Sequence, residues 1–175
     1  MIGEKVKRIV GIAIPLIIIC IISGVALTAT YGLTEERIEA VEQQKINESL
    51  STIFPSASFT ETGDYYIATV SGEEIGYAFI AEGRGYSGSI KTMVGMYKNG
   101  TISGVNIISQ SETPGLGARI AEPDFTNQFS GKRIGDVRLR RDGGVIDAIT
   151  GATISSRAIT DIVRERVEVV MNETQ

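Results

Sequence analysis

Hydroxyl side chains are concentrated near the C-terminal end of the chain, in the segment "DAITGATISS" at residues 147–156. Gly151 permits a tight turn, and an apolar pattern of helical spacing begins at Thr153. The first N–H groups of a helix have no partner within it and lie at the positive end of its dipole, which suits a phosphate. Ordinary capping of the helix by the Thr150 or Thr153 hydroxyl explains the same residues and is favoured by the residue types alone.

A second segment, "SETPGLGARI", combines one proline with two glycines after a run of strand-like residues. Pro114 fixes one φ angle, while Gly115 and Gly117 allow another group to approach the backbone closely. Thr113 and Leu116 could then lie against a flat ring. A plain surface turn is the alternative, and without other information it is favoured.

The residue types that the chain lacks exclude several kinds of chemistry. Its 175 residues include no His and no Trp, and the single cysteine is Cys20. These residues cannot build an iron–sulfur cluster, a His- or Cys-ligated haem, an ordinary zinc site or a Ser–His nucleophile pair. Any redox role therefore requires an organic cofactor. The net charge of −4 and the lack of a long basic block argue against nucleic acid as a partner.

The N-terminal part contains an uncharged apolar segment, residues 9–29, which is long enough to cross a bilayer because a spanning helix needs ~20 such residues. Pro15 would kink or loosen this helix. Lys5, Lys7 and Arg8 precede the segment and predict a cytoplasmic N-terminus with the remaining chain outside. A cleaved signal peptide fits less well, because its apolar core is usually only ~7–15 residues long.

The remaining residues are sufficient for one α+β domain, an antiparallel sheet with helices packed on it, preceded by one N-terminal transmembrane helix. A helix is predicted from Thr34 to Pro55, and a second helix from Thr153. Alternating residues between 64 and 108 predict four antiparallel strands. The turns are expected at Ser71-Gly72 and, as type I′, at Asn99-Gly100. A short helix is expected within 122–129 and one strand within 131–147.

The segment "DAITGAT" resembles the flavinylation motif of FMN-binding domains, which occur in Rnf electron-transport complexes and in the sodium-pumping NADH:quinone reductase. The resemblance implies that Thr153 carries FMN through a phosphoester bond, installed from FAD by a separate flavin transferase. Asp147 would belong to the pattern that the transferase recognises. Thr150, Gly151 and Ala152 complete the match and are expected to be part of the cofactor site.

The segment "SETPGLGARI" resembles the "ETPGLG" loop of the same family, which implies that Glu112, Thr113, Gly115, Leu116 and Gly117 bind the cofactor. The matching residues are Glu112, Thr113, Pro114, Gly115, Leu116 and Gly117. A third match, "GRGYSG", places Tyr86 and Gly88 at a strand entry, with Tyr86 expected in packing. Many relatives carry a His before the loop. Here Gln110 can donate a hydrogen bond to the flavin but cannot titrate near neutral pH.

Two groups of arginines are candidates for contact with the flavin phosphate. Arg138, Arg140 and Arg141 form a small basic cluster, for which a solvated strand face is the favoured interpretation. Arg119 and Arg157 lie near the two motifs in sequence and are better candidates.

The resemblance, strongest to the G subunit of Rnf complexes, implies a membrane-anchored subunit that relays electrons within an ion-translocating oxidoreductase complex. Its expected partners are the other subunits of that complex, the flavin transferase and the membrane, and no catalytic residue is assigned. The expected parts are a cytoplasmic N-terminus (1–8), a transmembrane helix (9–31), a connecting helix (32–55) and an extracytoplasmic FMN-binding domain (56–175). Two alternatives remain open: a membrane-anchored flavin-binding sensor, and a structural surface subunit without flavin.

Overall fold

The structure is a computed structural model that describes residues 2–174, apart from the side chains of residues 2–10, Ile12 and Glu36. The chain divides into two compact units, Met1–Gln43 and Gln44–Gln175. The first helix, α1 (Ile2–Ile53), contributes to both units. The two N-terminal helices predicted from the sequence are therefore one continuous helix, which Pro15 does not end.

The N-terminal unit consists of α1 alone over the residues described. Within Ala13–Ile53 the mean hydropathy reaches 2.4 over a window that is 0% buried, so the helix is long and apolar enough to cross a membrane. The hydroxyls of Thr28 and Thr30 donate to carbonyl oxygens four residues earlier, at 2.9 and 2.8 Å. These bonds satisfy polar groups that an apolar environment would otherwise leave without a partner.

The second unit is built on one antiparallel sheet of five strands in sequential order. The strands are β1 (Ser58–Thr62), β2 (Tyr65–Val70), β3 (Glu73–Arg84), β4 (Ser89–Tyr97) and β5 (Ile102–Gln110). The expected α+β class is confirmed, but the sequence predicted only four of these five strands. The missing strand, β1, is short and mostly exposed, so it lacks the apolar alternation that identifies a strand.

The two predicted turns differ in outcome. Ser71 and Gly72 both have positive φ, 54° and 84°, as a type I′ turn requires. Only Gly100 is in this region at the second turn, with φ of 77°, so the predicted type I′ geometry at Asn99-Gly100 is wrong. Gly100 N–H instead donates to the Tyr97 carbonyl at 2.9 Å, within a three-residue loop that ends on a left-handed glycine.

Both faces of the sheet are covered. On one face, the C-terminal helix α3 (Thr153–Glu173) buries Ile159, Val163 and Val167 in the main core. On the other face, the last turns of α1 bury Leu50 and neighbouring apolar residues. Adjacent strand residues point to opposite faces, which is why Met93 and Val94 belong to different clusters.

The segment between β5 and α3 consists of short turns. The predicted helix within 122–129 is confirmed as α2 (Pro123–Thr126) followed by a 3₁₀ turn, Asn127–Phe129. The predicted strand within 131–147 is wrong, because this segment forms two 3₁₀ turns, Ile134–Asp136 and Arg140–Asp142, with only isolated bridge pairs. Glycines and basic residues interrupt the segment 131–147, so its apolar runs are too short for a strand.

Candidate functional site

One cleft of about 270 Å³ brings the two sequence motifs together. It lies where the turn after β3, the loop after β5 and the start of α3 meet. Its lining residues are Tyr86, Thr113, Leu116, Gly151, Ala152, Thr153, Ile154 and Ser155. Thr153, the expected point of cofactor attachment, thus lines the cleft, and its side chain is half-buried.

The start of α3 presents free N–H groups at this cleft. Ala152 is the residue before the first helical residue, and within the described chain no side chain caps α3. The interpretation of Thr150 or Thr153 as a capping hydroxyl is therefore wrong. The first backbone bond of the helix runs from Ser156 N–H to the Ala152 carbonyl at 3.0 Å. The N–H groups of residues 153–155 consequently have no partner within the helix and suit an anion.

Apolar side chains flank the same cleft. Tyr86, Leu116 and Ile154 are 66%, 48% and 56% exposed, which is high for large apolar residues at a concave surface. The packing role expected for Tyr86 is therefore wrong. Exposed apolar and aromatic surface around a cleft favours a flat ring as ligand. Ile154 was not among the residues that the sequence predicted for the site.

Glycine residues allow the backbones of the two motifs to approach each other closely. Gly151 has φ of 82°, and a Cβ atom there would lie 3.3 Å from the Leu116 side chain. Gly115 also has positive φ, 75°, with open space around it. The 112–118 loop is closed by backbone bonds from Leu116 and Ala118 N–H to the Thr113 carbonyl, both 3.1 Å. The tight turn expected at Gly151 is present, and the close approach expected at Gly115 and Gly117 is present only at Gly117, where a Cβ atom would lie 2.6 Å from the Glu112 carboxylate.

Glu112 lies behind the cleft and does not line it. Its side chain is only 5% exposed. One carboxylate oxygen accepts the Ser155 hydroxyl at 2.5 Å, and the other accepts Ser87 N–H at 3.0 Å. Gln110 accepts the Glu112 N–H at 2.5 Å and so supports the loop backbone. Glu112 and Gly117 therefore shape the site from beneath, whereas Thr113 and Leu116 face it.

Asp147 and Thr150 line a second cavity of about 240 Å³, separate in its lining from the first. Its lining residues are Arg119, Glu122, Asp124, Phe125, Gln128, Asp147, Ala148, Ile149 and Thr150. Asp147 accepts two hydrogen bonds from Arg140, at 2.7 and 3.1 Å. The bond from Arg140 lowers the pKa of the Asp147 carboxyl, and their attraction acts in the same direction. The motif residues are thus divided between two cavities.

Residues 85–168 match the FMN-binding domain family. The chain is 32% identical to the G subunit of the ion-translocating oxidoreductase complex of Methanosarcina acetivorans, over 94% of this chain and 95% of that protein. It is 34% identical to the G subunit of the proton-translocating ferredoxin:NAD(+) oxidoreductase complex of Clostridium ljungdahlii, over 91% and 90%. The chain belongs to the FMN-binding domain family of these G subunits.

Two solved structures have a similar fold. The C subunit of the Na(+)-translocating NADH-quinone reductase from Parabacteroides distasonis superposes with a TM-score of 0.55 at 28% identity. This match covers 63% of the present chain and 62% of the chain from Parabacteroides distasonis. Shewanella oneidensis NqrC matches with a TM-score of 0.52 at 19% identity, which concerns the fold alone.

Arginines that were candidates for phosphate contact pair with carboxylates. Arg157 donates to Asp142 at 3.0 and 3.1 Å, and Arg119 pairs with Glu122 at 3.2 Å in the second cavity. The arginines at 138, 140 and 141 are solvated, as the favoured interpretation held, but Arg140 begins a 3₁₀ turn and the cluster is not on a strand. Among the residues that line the cleft, none is an arginine or lysine. An anion there would rely on the backbone N–H groups of α3.

Proposed function

We propose that the chain carries FMN as a phosphoester on Thr153 and relays electrons within an Rnf-type ion-translocating oxidoreductase complex. The observation that carries this proposal is the meeting of Thr153 with the 112–118 loop in one cleft. The family membership and the G subunits that the chain resembles support the same assignment.

The chemistry of the cleft fits the two ends of FMN. The N–H groups at the start of α3 suit the phosphate, since they lie at the positive end of the helix dipole. The exposed faces of Tyr86, Leu116 and Ile154 suit the ring system. Thr153, the first residue of α3, lines the same cleft.

Attachment would use Thr153 as the nucleophile and FAD as the donor, with the flavin transferase as catalyst. The Thr153 oxygen would form an ester bond to the phosphorus that bears riboflavin. The phosphoanhydride bond of FAD would break, AMP would leave and the hydroxyl proton would be released. Asp147, on the other side of the segment, would remain available to the transferase because its side chain is exposed.

FMN supplies the redox chemistry when bound, and the protein positions it. The ester on Thr153 would hold the phosphate and leave the ring free to exchange electrons with other cofactors of the complex. Leu116 and Tyr86 would shield part of the ring from water. The apolar segment 9–29 has no Asp, Glu, Lys, Arg or His, so we assign ion translocation to other subunits.

We propose α1 as the membrane anchor, with residues 1–8 in the cytoplasm, 9–31 in the membrane, 32–55 connecting and 56–175 on the outer side. The uncharged segment, its hydropathy and the preceding Lys5, Lys7 and Arg8 support this orientation.

The test is co-expression of the full chain with a flavin transferase, followed by in-gel flavin fluorescence and intact mass of the denatured protein. We expect fluorescence and a mass increase equal to FMN less one water. Both should be lost in Thr153→Ala. Thr113→Ala is the matched control, because Thr113 is the other threonine of the cleft, and it should keep the label.

Two results would contradict the proposal. An unmodified wild-type chain beside an active transferase would exclude covalent attachment and favour the structural surface subunit. A label that persists in Thr153→Ala would place the flavin on another residue. Purification of the labelled chain without Rnf-type partners, in cells that make them, would favour the sensor alternative.

A further inference from the structure

We propose that Glu112 is a positioning residue that joins the three segments of the cleft and places a negative charge beneath it. The charge effect on the flavin rests on the proposed function, whereas the joining of the segments does not. Glu112 does not line the cleft itself, so it would act through the residues that do.

The hydrogen bonds of Glu112 connect all three segments. Its carboxylate accepts the Ser155 hydroxyl from α3 and the Ser87 N–H from the turn between β3 and β4. Its own backbone belongs to the 112–118 loop. Both carboxylate oxygens act as acceptors. Buried polar groups that lose such bonds are costly, so this contact holds the segments together.

The neighbouring glycines leave the space that this carboxylate occupies. A Cβ atom at Gly117 would lie 2.6 Å from one carboxylate oxygen and 2.8 Å from the Ser155 hydroxyl oxygen. A Cβ atom at Gly85 would overlap the other carboxylate oxygen and would lie 2.6 Å from Ile90 Cδ1. Glycine is therefore required at two positions, in different segments, around the Glu112 side chain. This requirement indicates that the surrounding backbone is arranged to accommodate the carboxylate.

The position of the carboxylate also gives it an electrostatic role. Ser155 is in the first turn of α3, where the helix dipole stabilises a negative charge. The same turn begins with Thr153, the proposed carrier of the flavin phosphate. A buried negative charge beside the cleft disfavours added electron density on the ring, so Glu112 would lower the flavin midpoint potential.

The first test measures amide hydrogen exchange in the full-length, unmodified chain in detergent, so it does not depend on flavin attachment. Glu112→Ala should increase exchange of the hydrogen-bonded amides in 116–118 and 156–157 at least tenfold, while the strands β3 and β4 remain protected. Glu112→Gln should keep the wild-type rates, because its amide can accept Ser87 N–H and donate to the Ser155 hydroxyl. Glu122→Gln is the control for an exposed carboxylate near the same loop.

Unchanged exchange in Glu112→Ala would overturn the positioning role. If Glu112→Ala does not fold, Ser155→Ala removes one of the two bonds and should raise exchange in the same segments, at least threefold. Wild-type exchange in Ser155→Ala would then overturn the proposal.

The second test uses chains flavinylated by the transferase and measures the flavin midpoint potential. Glu112→Gln keeps the geometry and removes the charge, so its potential should be higher than that of the wild type and of Glu122→Gln. An unchanged potential would overturn the electrostatic role. A wild-type chain that takes no flavin would contradict the proposed function, while the exchange result would still decide the positioning role.

Discussion

The segment from Asp147 to Ser155 contributes residues to both the cleft and the second cavity. The carboxylate near the cleft and the carboxylate at the second cavity differ in burial. On the cleft side, Glu112 is buried beneath an apolar wall and bonded to two donors. On the side of the second cavity, Asp147 and Arg140 form an ion pair with side chains that are 63% and 66% exposed. Both carboxylates belong to sequence motifs, yet only one is shielded from water.

This difference in burial predicts different roles for the two carboxylates. When a buried carboxylate loses its hydrogen bonds, its desolvation is no longer compensated and the folded state is destabilised. An exposed ion pair contributes little to stability because water screens it. We therefore expect substitutions beneath the cleft to change stability and geometry. Substitutions at the second cavity should change local charge with little effect on the fold, which suits a surface that another protein reads.

The largest effect is expected from Gly117→Val, which would test whether the cleft side depends on close packing. The new side chain would collide with Glu112 and Ser155 and should reduce the free energy of unfolding by about 3 kcal/mol. Tyrosine fluorescence of the detergent-solubilised chain during urea titration provides the measurement.

Gly115→Ala is the matched control for this change, because the space around Gly115 is open and only its positive φ opposes a side chain. It should lose about 1 kcal/mol. Equal losses in the two variants would show that loop backbone strain, and not the packing around Glu112, dominates.

Ser156→Ala should have the next largest effect, since the Ser156 hydroxyl connects Ile149, which lines the second cavity, to Ala152, which lines the cleft. Its buried hydroxyl accepts Ile149 N–H at 3.0 Å and donates to the Ala152 carbonyl at 2.9 Å. Removal leaves the Ile149 N–H without this acceptor and should cost about 2 kcal/mol. Thr150→Ala, at an exposed position, should cost less than about 0.5 kcal/mol in the same urea titration. Similar losses would remove the distinction between the buried and exposed hydroxyls.

The sequence predicted most of the fold because its strands and helices have clear apolar periods. α3 begins at Thr153 as expected, and β2 to β5 lie in the segments predicted as strands. β1 was missed because Phe59 is the only large apolar residue in it, so no period is visible. The turn at Gly100 differs because one left-handed glycine can close a three-residue loop without a second positive φ.

For the candidate site, motif similarity identified the segments but not the orientation of each side chain. Thr153 and Leu116 line the cleft, whereas Glu112 and Gly117 lie beneath it and Asp147 lines the second cavity. Such directions depend on tertiary packing between segments far apart in sequence. Ser87 had no local signal at all, because its contribution is a backbone N–H.

Gln128→Ala should have a smaller effect and tests how the second cavity holds Asp147. The Gln128 side chain accepts Asp147 N–H at 2.7 Å and donates to its carbonyl at 3.3 Å. Water can replace these partners at an exposed residue, so we expect a loss of only about 1 kcal/mol in the urea titration. Gln44→Ala is the control, since Gln44 makes only an exposed contact with Glu48 within α1. A loss as large as that of Ser156→Ala would show that the two sides are equally important for stability.

The smallest effect is expected from Arg140→Gln, which removes the exposed ion pair. The hydrogen bond from Arg140 keeps the pKa of Asp147 below its ordinary value of 3.8, so loss of the guanidinium should move it back towards that value. Because the folded-state pKa is the lower one, the pair stabilises the fold above pH 3.8, and this contribution is lost as the pH falls through the folded-state pKa. Carboxyl NMR titration of Asp147 in both chains measures the shift, and Arg141→Gln is the control. An identical Asp147 pKa in wild type and Arg140→Gln would mean that the pair does not persist in solution, leaving Asp147 free for a partner without any competing contact.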